Sequence, residues 1–293
     1  MVERARLFDL ACLGLLVAGL AAIFVPLYYA LVVASQTDDT VRLSLAALPG
    51  PALFDNLAAA WNKADLQRQL FNSAVMALGI TIGKLAISLL SAFAITYFQF
   101  RFRMVAFWGI FLTLMLPVEV RIVPTFQVAA NVASPLNAVL SLGGWQAGLN
   151  LSLLDSYGGL ILPLIASATA TFLFRQFFLT VPDELTEAAR VDGAGPLRFL
   201  RDILLPLSAT SIAALFVILF IYGWNQYLWP LLITTETEMT TVVIGVARTL
   251  PTDNSDTKWN LTMATTLLAM LPPVLVVIAL QRWFVRGLVD HEK

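Results

Sequence analysis

The sequence has very few of the residues that enzymes most often use for chemistry. Among its 293 residues there is one cysteine, Cys12, and one histidine, His291. A single cysteine excludes an internal disulfide framework and a thiolate metal cluster. A single histidine leaves little material for a zinc site or for histidine-based acid–base catalysis. We therefore expect no catalytic residue, metal site or bound cofactor on this chain.

Charge is scarce as well. Only 13% of the residues are charged and 59% are hydrophobic, with a mean hydropathy of +0.80. Soluble domains carry about 25% charged residues, so a shortage of this size indicates that lipid surrounds much of the folded surface. The net charge of -1 provides no overall basic field that would attract nucleic acid.

Common enzyme signatures are missing too. The sequence has no G-x-x-x-x-G-K-[ST] loop for nucleotide phosphates, no H-E-x-x-H motif and no G-x-S-x-G motif. A membrane-embedded enzyme is therefore disfavoured. We also find no internal repeat and no broken helices in matched positions, which a secondary transporter working alone would typically show.

Long apolar runs dominate the remainder of the chain. A bilayer core needs about 20 apolar residues in helical form, and strands would instead alternate with a period of two. The first run is too long for a signal-peptide core of about 7–15 residues, so we expect it to be retained. The sequence predicts an all-α polytopic membrane bundle, a single transmembrane domain over residues 1–293, with six spans at about 10–34, 71–98, 104–126, 157–179, 206–231 and 262–284.

The distribution of lysine and arginine predicts the orientation of the bundle. With the N-terminus in the cytoplasm, eleven basic residues fall in inside segments and five in outside segments. Cytoplasmic loops carry the excess of basic residues in membrane proteins. We therefore expect both termini to be cytoplasmic. The outside segment 127–156 contains no basic residue.

The inside loop at 180–205 has the pattern of two short helices joined at a glycine corner. Pro182 suits the first turn of a helix, and Asp183 complements the positive end of the helix dipole. Gly193 suits a left-handed C-terminal cap. Pro196 can then begin a second short helix. An amphipathic helix lying on the inner leaflet is the plainer interpretation, but such helices are rich in lysine and arginine, whereas this one opens with acidic residues.

The same loop resembles a known family motif. Its elements are Glu187-Ala188-Ala189, Asp192-Gly193-Ala194 and Leu205-Pro206-Leu207, which resemble the EAA loop of permease subunits of binding-protein-dependent ABC importers. The resemblance implies a type I ABC importer permease fold, in which this loop forms the coupling helix that docks on an ATPase subunit. The residues that would take this role are Glu187, Ala188, Ala189, Asp192 and Gly193.

The resemblance covers almost the whole chain. Within the carbohydrate-uptake branch it is closest to second permease subunits of sn-glycerol-3-phosphate importers. The runs that carry it are LMLPVEVRIVPT (114–125), LDSYGGLILPLIASATATFLFRQFF (154–178), FIYGWNQYLWPLL (220–232) and RGLVDHEK (286–293). The stretch at about 132–150 is longer than the family pattern, so the family offers no detailed expectation there.

The resemblance also implies a set of partners. These are a homologous second permease, two ATPase subunits that hold ATP and magnesium, and an extracytoplasmic solute-binding protein, all at a bacterial cytoplasmic membrane. The expected solute is sn-glycerol-3-phosphate or a related glycerophosphodiester. A neutral sugar or polyol is the alternative, and a secondary transporter is a more distant one.

Three charged residues fall within predicted spans and are candidates for the translocation path, because isolated charges in a bilayer cost several kcal/mol. They are Lys84, Glu119 and Arg121. Two basic groups would suit a phosphate-bearing solute. Alternatively, Lys84 and Glu119 form a buried pair while Arg121 reaches the outer interface. On straight helices, Lys84 would lie roughly 20 Å and Arg121 roughly 8 Å below the outer edge, which argues against one shared pocket.

A polar cluster in the fifth predicted span gives a second set of path candidates. These are Trp224, Asn225 and Tyr227. The polar groups could meet the hydroxyls of a polyol while an aromatic ring covers its CH face. The alternative is structural, because amide side chains within spans also hydrogen-bond between helices.

Overall fold

The structure is a computed structural model. It describes residues 6–43, 47–63, 65–116, 118–144, 148–250 and 258–289. Within these ranges it describes the side chains of all residues except 6, 7, 42, 43, 114, 118, 119 and 282–289.

Helices make up the ordered structure throughout the described residues. In chain order they are α1 (Arg6–Ala34), α2 (Asp38–Leu43), α3 (Leu53–Trp61), α4 (Leu66–Tyr97), α5 (Arg103–Leu112), α6 (Val118–Ala130), α7 (Ser134–Leu142), α8 (Tyr157–Ile161), α9 (Ala168–Phe178), α10 (Asp183–Val191), α11 (Pro196–Phe199), α12 (Leu205–Leu207), α13 (Ala209–Trp224), α14 (Leu228–Ile233), α15 (Val242–Ala247) and α16 (Trp259–Val289). Short 3-10 turns lie at Thr113–Met115, Leu162–Leu164 and Thr237–Met239, and a π-helical stretch lies at Leu200–Leu204.

Several helices have the length and composition of membrane spans. Three qualify alone, over Phe8–Ala34, Leu66–Tyr97 and Trp259–Gln281. Two further pairs qualify if each bent pair is one span: Tyr157–Leu164 with Ala168–Phe178, bent by 48°, and Pro196–Leu207 with Ala209–Trp224, bent by 75°. The all-α class is thus what the sequence predicted, whereas the number of six spans stays a prediction.

Two predicted spans differ from the single helices that the apolar runs suggested. The run at 104–126 is divided between α5, a 3-10 turn and α6, with extended backbone at Leu116. The run at 206–231 ends as a helix at Trp224, and α14 follows after a short break. Hydropathy reports how apolar a segment is, but it does not register where the backbone hydrogen-bond ladder breaks.

The chain divides into two compact units. The first consists of residues 1–67 and 245–271. Small residues allow its helices to pack closely, since Ala34, Ala60 and Ala264 form its buried cluster. The side-chain amide of Asn56 donates to the carbonyls of Ala34 and Gln36, each at 2.8 Å. This satisfies carbonyls at the C-terminal end of α1 that have no partner within the helix.

The second unit consists of residues 68–244 and 272–293 and holds both sets of candidate residues. One buried cluster joins α4, α9 and α13 with the loop that carries α10 and α11; it includes Phe93, Phe174, Phe178 and Leu204. A separate cluster joins the other end of α4 to α6, α8 and α14. The two clusters therefore pack against opposite ends of α4.

Candidate functional site

The loop that resembles the EAA motif folds as two short helices at a glycine corner, as its sequence predicts. Helix α10 ends in a left-handed cap, with Gly193 at φ 68°. The N–H of Ala194 donates to the carbonyl of Ala189 at 2.8 Å, and the N–H of Gly193 donates to that of Arg190 at 3.0 Å. This pair of bonds is a Schellman motif, which terminates a helix and turns the chain. We call residues 183–199 the coupling segment.

Aromatic packing holds the coupling segment on the helices beneath it. Phe199 is buried, and its ring meets that of Tyr97 edge-on at 5.2 Å between centroids. The hydroxyl of Tyr97 donates to the carbonyl of Phe178 at 3.4 Å. Because these partners lie at the C-terminal ends of α4 and α9, the coupling segment packs directly on both helices.

The exposed face of the coupling segment includes most of the predicted coupling residues. Glu187, Ala188, Asp192 and Gly193 are exposed. Ala189 is buried in the cluster beneath them, so its side chain supports the fold of the segment instead of forming part of the exposed face.

Two exposed apolar side chains flank the corner and were missed by the motif comparison. Val191 is 88% exposed and Leu197 is 75% exposed. Because the motif specifies acidic and small residues, it gave no signal for them. Both side chains are accessible on the same exposed segment as Glu187 and Asp192.

A second cluster lies within the helices of the same unit and contains Lys84. This residue is buried, and its ammonium group lies 3.8 Å from the centre of the Tyr222 ring. Helices α4 and α13 pack closely here, since a Cβ on Gly223 would lie 3.0 Å from the Cα of Ala77. This close packing brings Lys84 and Tyr222 together. No local sequence pattern marks Tyr222, which lies within an apolar run.

Arg121 on α6 lies within electrostatic range of this cluster. Its side chain is exposed, and its charge acts on both Lys84 and Tyr222. The depths estimated along straight helices predicted that Lys84 and Arg121 would be well separated. The break between α5 and α6 removes the basis of that estimate. The side chain of Glu119 lies outside the described residues, so its pairing with Lys84 stays a prediction.

The three candidates from the fifth span do not form one polar patch. Trp224 is buried, with its ring stacked on Phe220 at 5.8 Å. Asn225 is exposed at the C-terminal cap of α13, and Tyr227 is exposed beyond it. Trp224 therefore serves helix packing, and only Asn225 and Tyr227 remain accessible.

A cluster of hydrogen bonds between Asp155, Thr235 and Glu236, which we call the Asp155 lock, lies at the opposite end of the unit from the coupling segment. The carboxylate of Asp155 accepts bonds from the Thr235 N–H at 2.6 Å, the Thr235 hydroxyl at 2.7 Å and the Glu236 N–H at 2.9 Å. Partial desolvation raises the pKa of this carboxyl, but these three bonds outweigh it and hold the pKa of Asp155 below its usual value. The lock joins the loop before α8 to the loop after α14.

Comparison with known proteins places this geometry in a family. Residues 84–290 match the family model described as "Binding-protein-dependent transport system inner membrane component". The chain is 53% identical to the "sn-glycerol-3-phosphate transport system permease protein UgpE" of Yersinia enterocolitica, over 100% of both chains. It is 51% identical to the protein of the same name from Agrobacterium fabrum, again over 100% of both.

A solved structure shares the fold. It is a chain of a bacterial ABC transporter involved in the import of the acidic polysaccharide alginate, with a TM-score of 0.79 and 19% sequence identity. The match covers 97% of this chain and 99% of the other. The predicted permease fold is confirmed, and the chain is a membrane protein and a transport subunit, not an enzyme. It belongs to the family of inner membrane components of binding-protein-dependent transport systems, the permease subunits of ABC importers.

Proposed function

We propose that this chain is a permease subunit that carries sn-glycerol-3-phosphate, or a related glycerophosphodiester, across the bacterial cytoplasmic membrane. The observation that carries the proposal is the 53% identity, over 100% of both chains, to a permease named for that solute. A second, homologous permease completes the path, and an extracytoplasmic binding protein delivers the solute. ATP and magnesium are held by two separate ATPase subunits.

The coupling segment is the surface that meets an ATPase subunit. Glu187 and Asp192 offer negative charge, Ala188 permits close approach, and Val191 and Leu197 supply apolar contact area. Gly193 makes the corner that presents them together. Closure of the ATPase subunits would move this segment with the ends of α4 and α9 and switch the bundle between inward-facing and outward-facing states, with ATP supplying the bias.

The orientation of the chain follows from this role. A segment that meets an ATPase must face the cytoplasm, which agrees with the excess of basic residues predicted for the inside loops. Both termini are then cytoplasmic, and the Asp155 lock lies on the outer side.

Lys84, Arg121 and Tyr222 form the part of the path that attracts the phosphate group. Lys84 is held by an aromatic face, so its ammonium protons are available to an incoming anion. Arg121 adds a second positive charge and can grip phosphate oxygens in bidentate fashion. Asn225 and Tyr227, both exposed, could meet the solute's hydroxyl groups. If Glu119 instead neutralises Lys84, the phosphate interacts with Arg121 alone.

Uptake into proteoliposomes tests the proposal. The complete importer should accumulate radiolabelled sn-glycerol-3-phosphate only when ATP is enclosed and the binding protein is present. Efficient uptake of a neutral polyol in place of the phosphorylated solute would favour a neutral-sugar permease. Uptake without any ATPase subunit would indicate a secondary transporter.

A further inference from the structure

The segment between α6 and α8 is unusual in having no charge. No charged residue occurs between Arg121 and Asp155. Helix α7 leaves the end of α6, and the chain returns to that end. The N–H of Val132 donates to the carbonyl of Leu151 at 2.8 Å, and the N–H of Leu153 donates to that of Ala129 at 2.9 Å. We call residues 131–153 the uncharged segment.

The large side chains that the uncharged segment exposes within the described ranges are aliphatic, and the smaller Ser141, Asn150 and Ser152 are exposed as well. Leu142, at the end of α7, is 89% exposed, and it is accompanied by Leu136, Val139, Leu149 and Leu151, all of them exposed. Monomeric soluble surfaces rarely display so many large apolar side chains on one short segment. Water is therefore an unfavourable surrounding for it.

Two asparagine side chains satisfy the irregular backbone of this segment. The Asn137 amide donates to the Leu149 carbonyl at 2.7 Å, and its oxygen accepts from the Leu149 N–H at 3.2 Å. The Asn131 oxygen accepts from the N–H groups of Ala133 at 3.1 Å and Leu151 at 3.2 Å. In water such groups could bond to solvent at little cost. Irregular backbone away from water must find partners within the protein.

The composition favours lipid over a protein partner. Protein interfaces are enriched in aromatic residues, methionine and arginine, with a polar rim. The uncharged segment contains no methionine or arginine and one aromatic residue, Trp145. Within residues 131–144 and 148–153 the exposed large side chains are leucine and valine. Helix α1, which has the length and composition of a membrane span, also exposes aliphatic side chains such as Leu15 and Leu16, together with aromatic ones such as Phe24. The Asp155 lock at the end of the segment is polar and suits the water boundary.

From these observations we infer that the uncharged segment is a membrane-embedded element: α7 lies in the bilayer with Leu142 and Val139 in contact with lipid acyl chains. The segment then adds a lipid contact beside the path without contributing a further span. It would hold the end of α6, and with it Arg121, at a fixed depth in the membrane. This inference does not depend on which solute is carried.

Fluorescent labelling at single cysteines tests the inference. In a Cys12→Ser background, Leu142→Cys and, separately, Val139→Cys would be labelled with an environment-sensitive dye in the complete importer in nanodiscs. Leu15→Cys on α1 is the lipid-facing control, and exposed Thr237→Cys, beside the Asp155 lock, is the water-facing control. Brominated lipid and aqueous iodide would be the two quenchers.

The expected result is a loss of emission with brominated lipid at residues 142 and 139 comparable to that at residue 15, with little effect of iodide. Quenching by iodide as at residue 237 would overturn the inference in favour of a solvated loop. Protection from both quenchers would overturn it in favour of a protein partner. Because two neighbouring positions are labelled, a local disturbance at one of them does not decide the outcome.

Discussion

The ammonium group of Lys84 on α4 lies against the ring of Tyr222 on α13, 3.8 Å from its centre. A cation over an aromatic face is stabilised by about 2 kcal/mol where it is shielded from water. The ring thus offsets part of the cost of burying Lys84. A buried cation held in this way is suited to receive an anion that comes and goes.

Removing the charge of Lys84 should impair transport of phosphorylated solutes selectively. We expect Lys84→Met to lower uptake of sn-glycerol-3-phosphate roughly tenfold, because one charge-assisted bond is worth about 1.5–3 kcal/mol. Arg121→Ala should likewise lower uptake of a phosphorylated solute more than uptake of a neutral one. Tyr222→Phe, which keeps the ring, is the matched control and should remain close to the unmodified protein. Equal losses on charged and neutral solutes would contradict a phosphate-binding role.

The left-handed corner at Gly193 should be sensitive to any side chain. Alanine at φ 68° costs about 1 kcal/mol in backbone strain, although a Cβ there meets no atom within 4 Å. We expect Gly193→Ala to weaken the coupling of ATP hydrolysis to uptake. Gly193→Trp should leave the protein inserted in the membrane but uncoupled. Both variants would be assayed in proteoliposomes for solute-stimulated ATPase activity and for solute uptake.

Gly195 offers the matched control for that experiment. It is equally open but has an ordinary φ of -70°, so Gly195→Ala carries no comparable strain. If both alanine variants behaved alike, the left-handed turn would not be the cause of the defect.

The Asp155 lock should make the folded protein sensitive to acid. Its folded-state pKa lies below the value in the unfolded chain, so the ionised form is favoured by folding. The stabilisation is fully present above the unfolded pKa and is lost as the pH falls through the depressed folded pKa. We expect Asp155→Asn to lower the melting temperature at neutral pH and to show a smaller loss on acidification. Glu238→Gln is the control, because its pairing with Arg68 at 3.4 Å is solvent-exposed. An unchanged acid profile in the Asn variant would contradict the lock.

Substitutions at Phe199 and Leu197 should distinguish the packing of the coupling segment on the helices beneath it from its contacts with a partner protein. Phe199→Ala removes a buried ring and should destabilise the segment by about 3–5 kcal/mol. Leu197→Ala, at an exposed position, should leave the melting temperature unchanged while reducing binding of the ATPase subunit. Thermal unfolding and co-purification measure the two effects. Loss of stability in the Leu197 variant would show that this side chain packs within the fold.

Local sequence patterns predicted much of the fold because they report local physics. The apolar run at 71–98 predicted the helix that is now α4. Pro182, Gly193 and Pro196 predicted the bent coupling segment, because caps and turns depend on a few adjacent residues. The break between α5 and α6 was not predicted, because the average hydropathy of the run stays high even though Pro117, Glu119 and Arg121 interrupt it. Tyr222 was missed, and the burial of Ala189, which the motif placed among the docking residues, was not predicted, because the surroundings of both residues come from other helices.

Site-specific cross-linking tests the central claim, that the coupling segment transmits movement from an ATPase subunit. Val191→Cys, in a Cys12→Ser background, places a reactive group beside the Gly193 corner at an 88% exposed position. Paired with cysteines introduced on the ATPase surface, it should form a cross-link to that subunit whose yield changes when ATP is bound. The claim would be contradicted if the cysteine at position 191 stayed reactive to soluble reagents and never formed a cross-link in an importer that still transports solute.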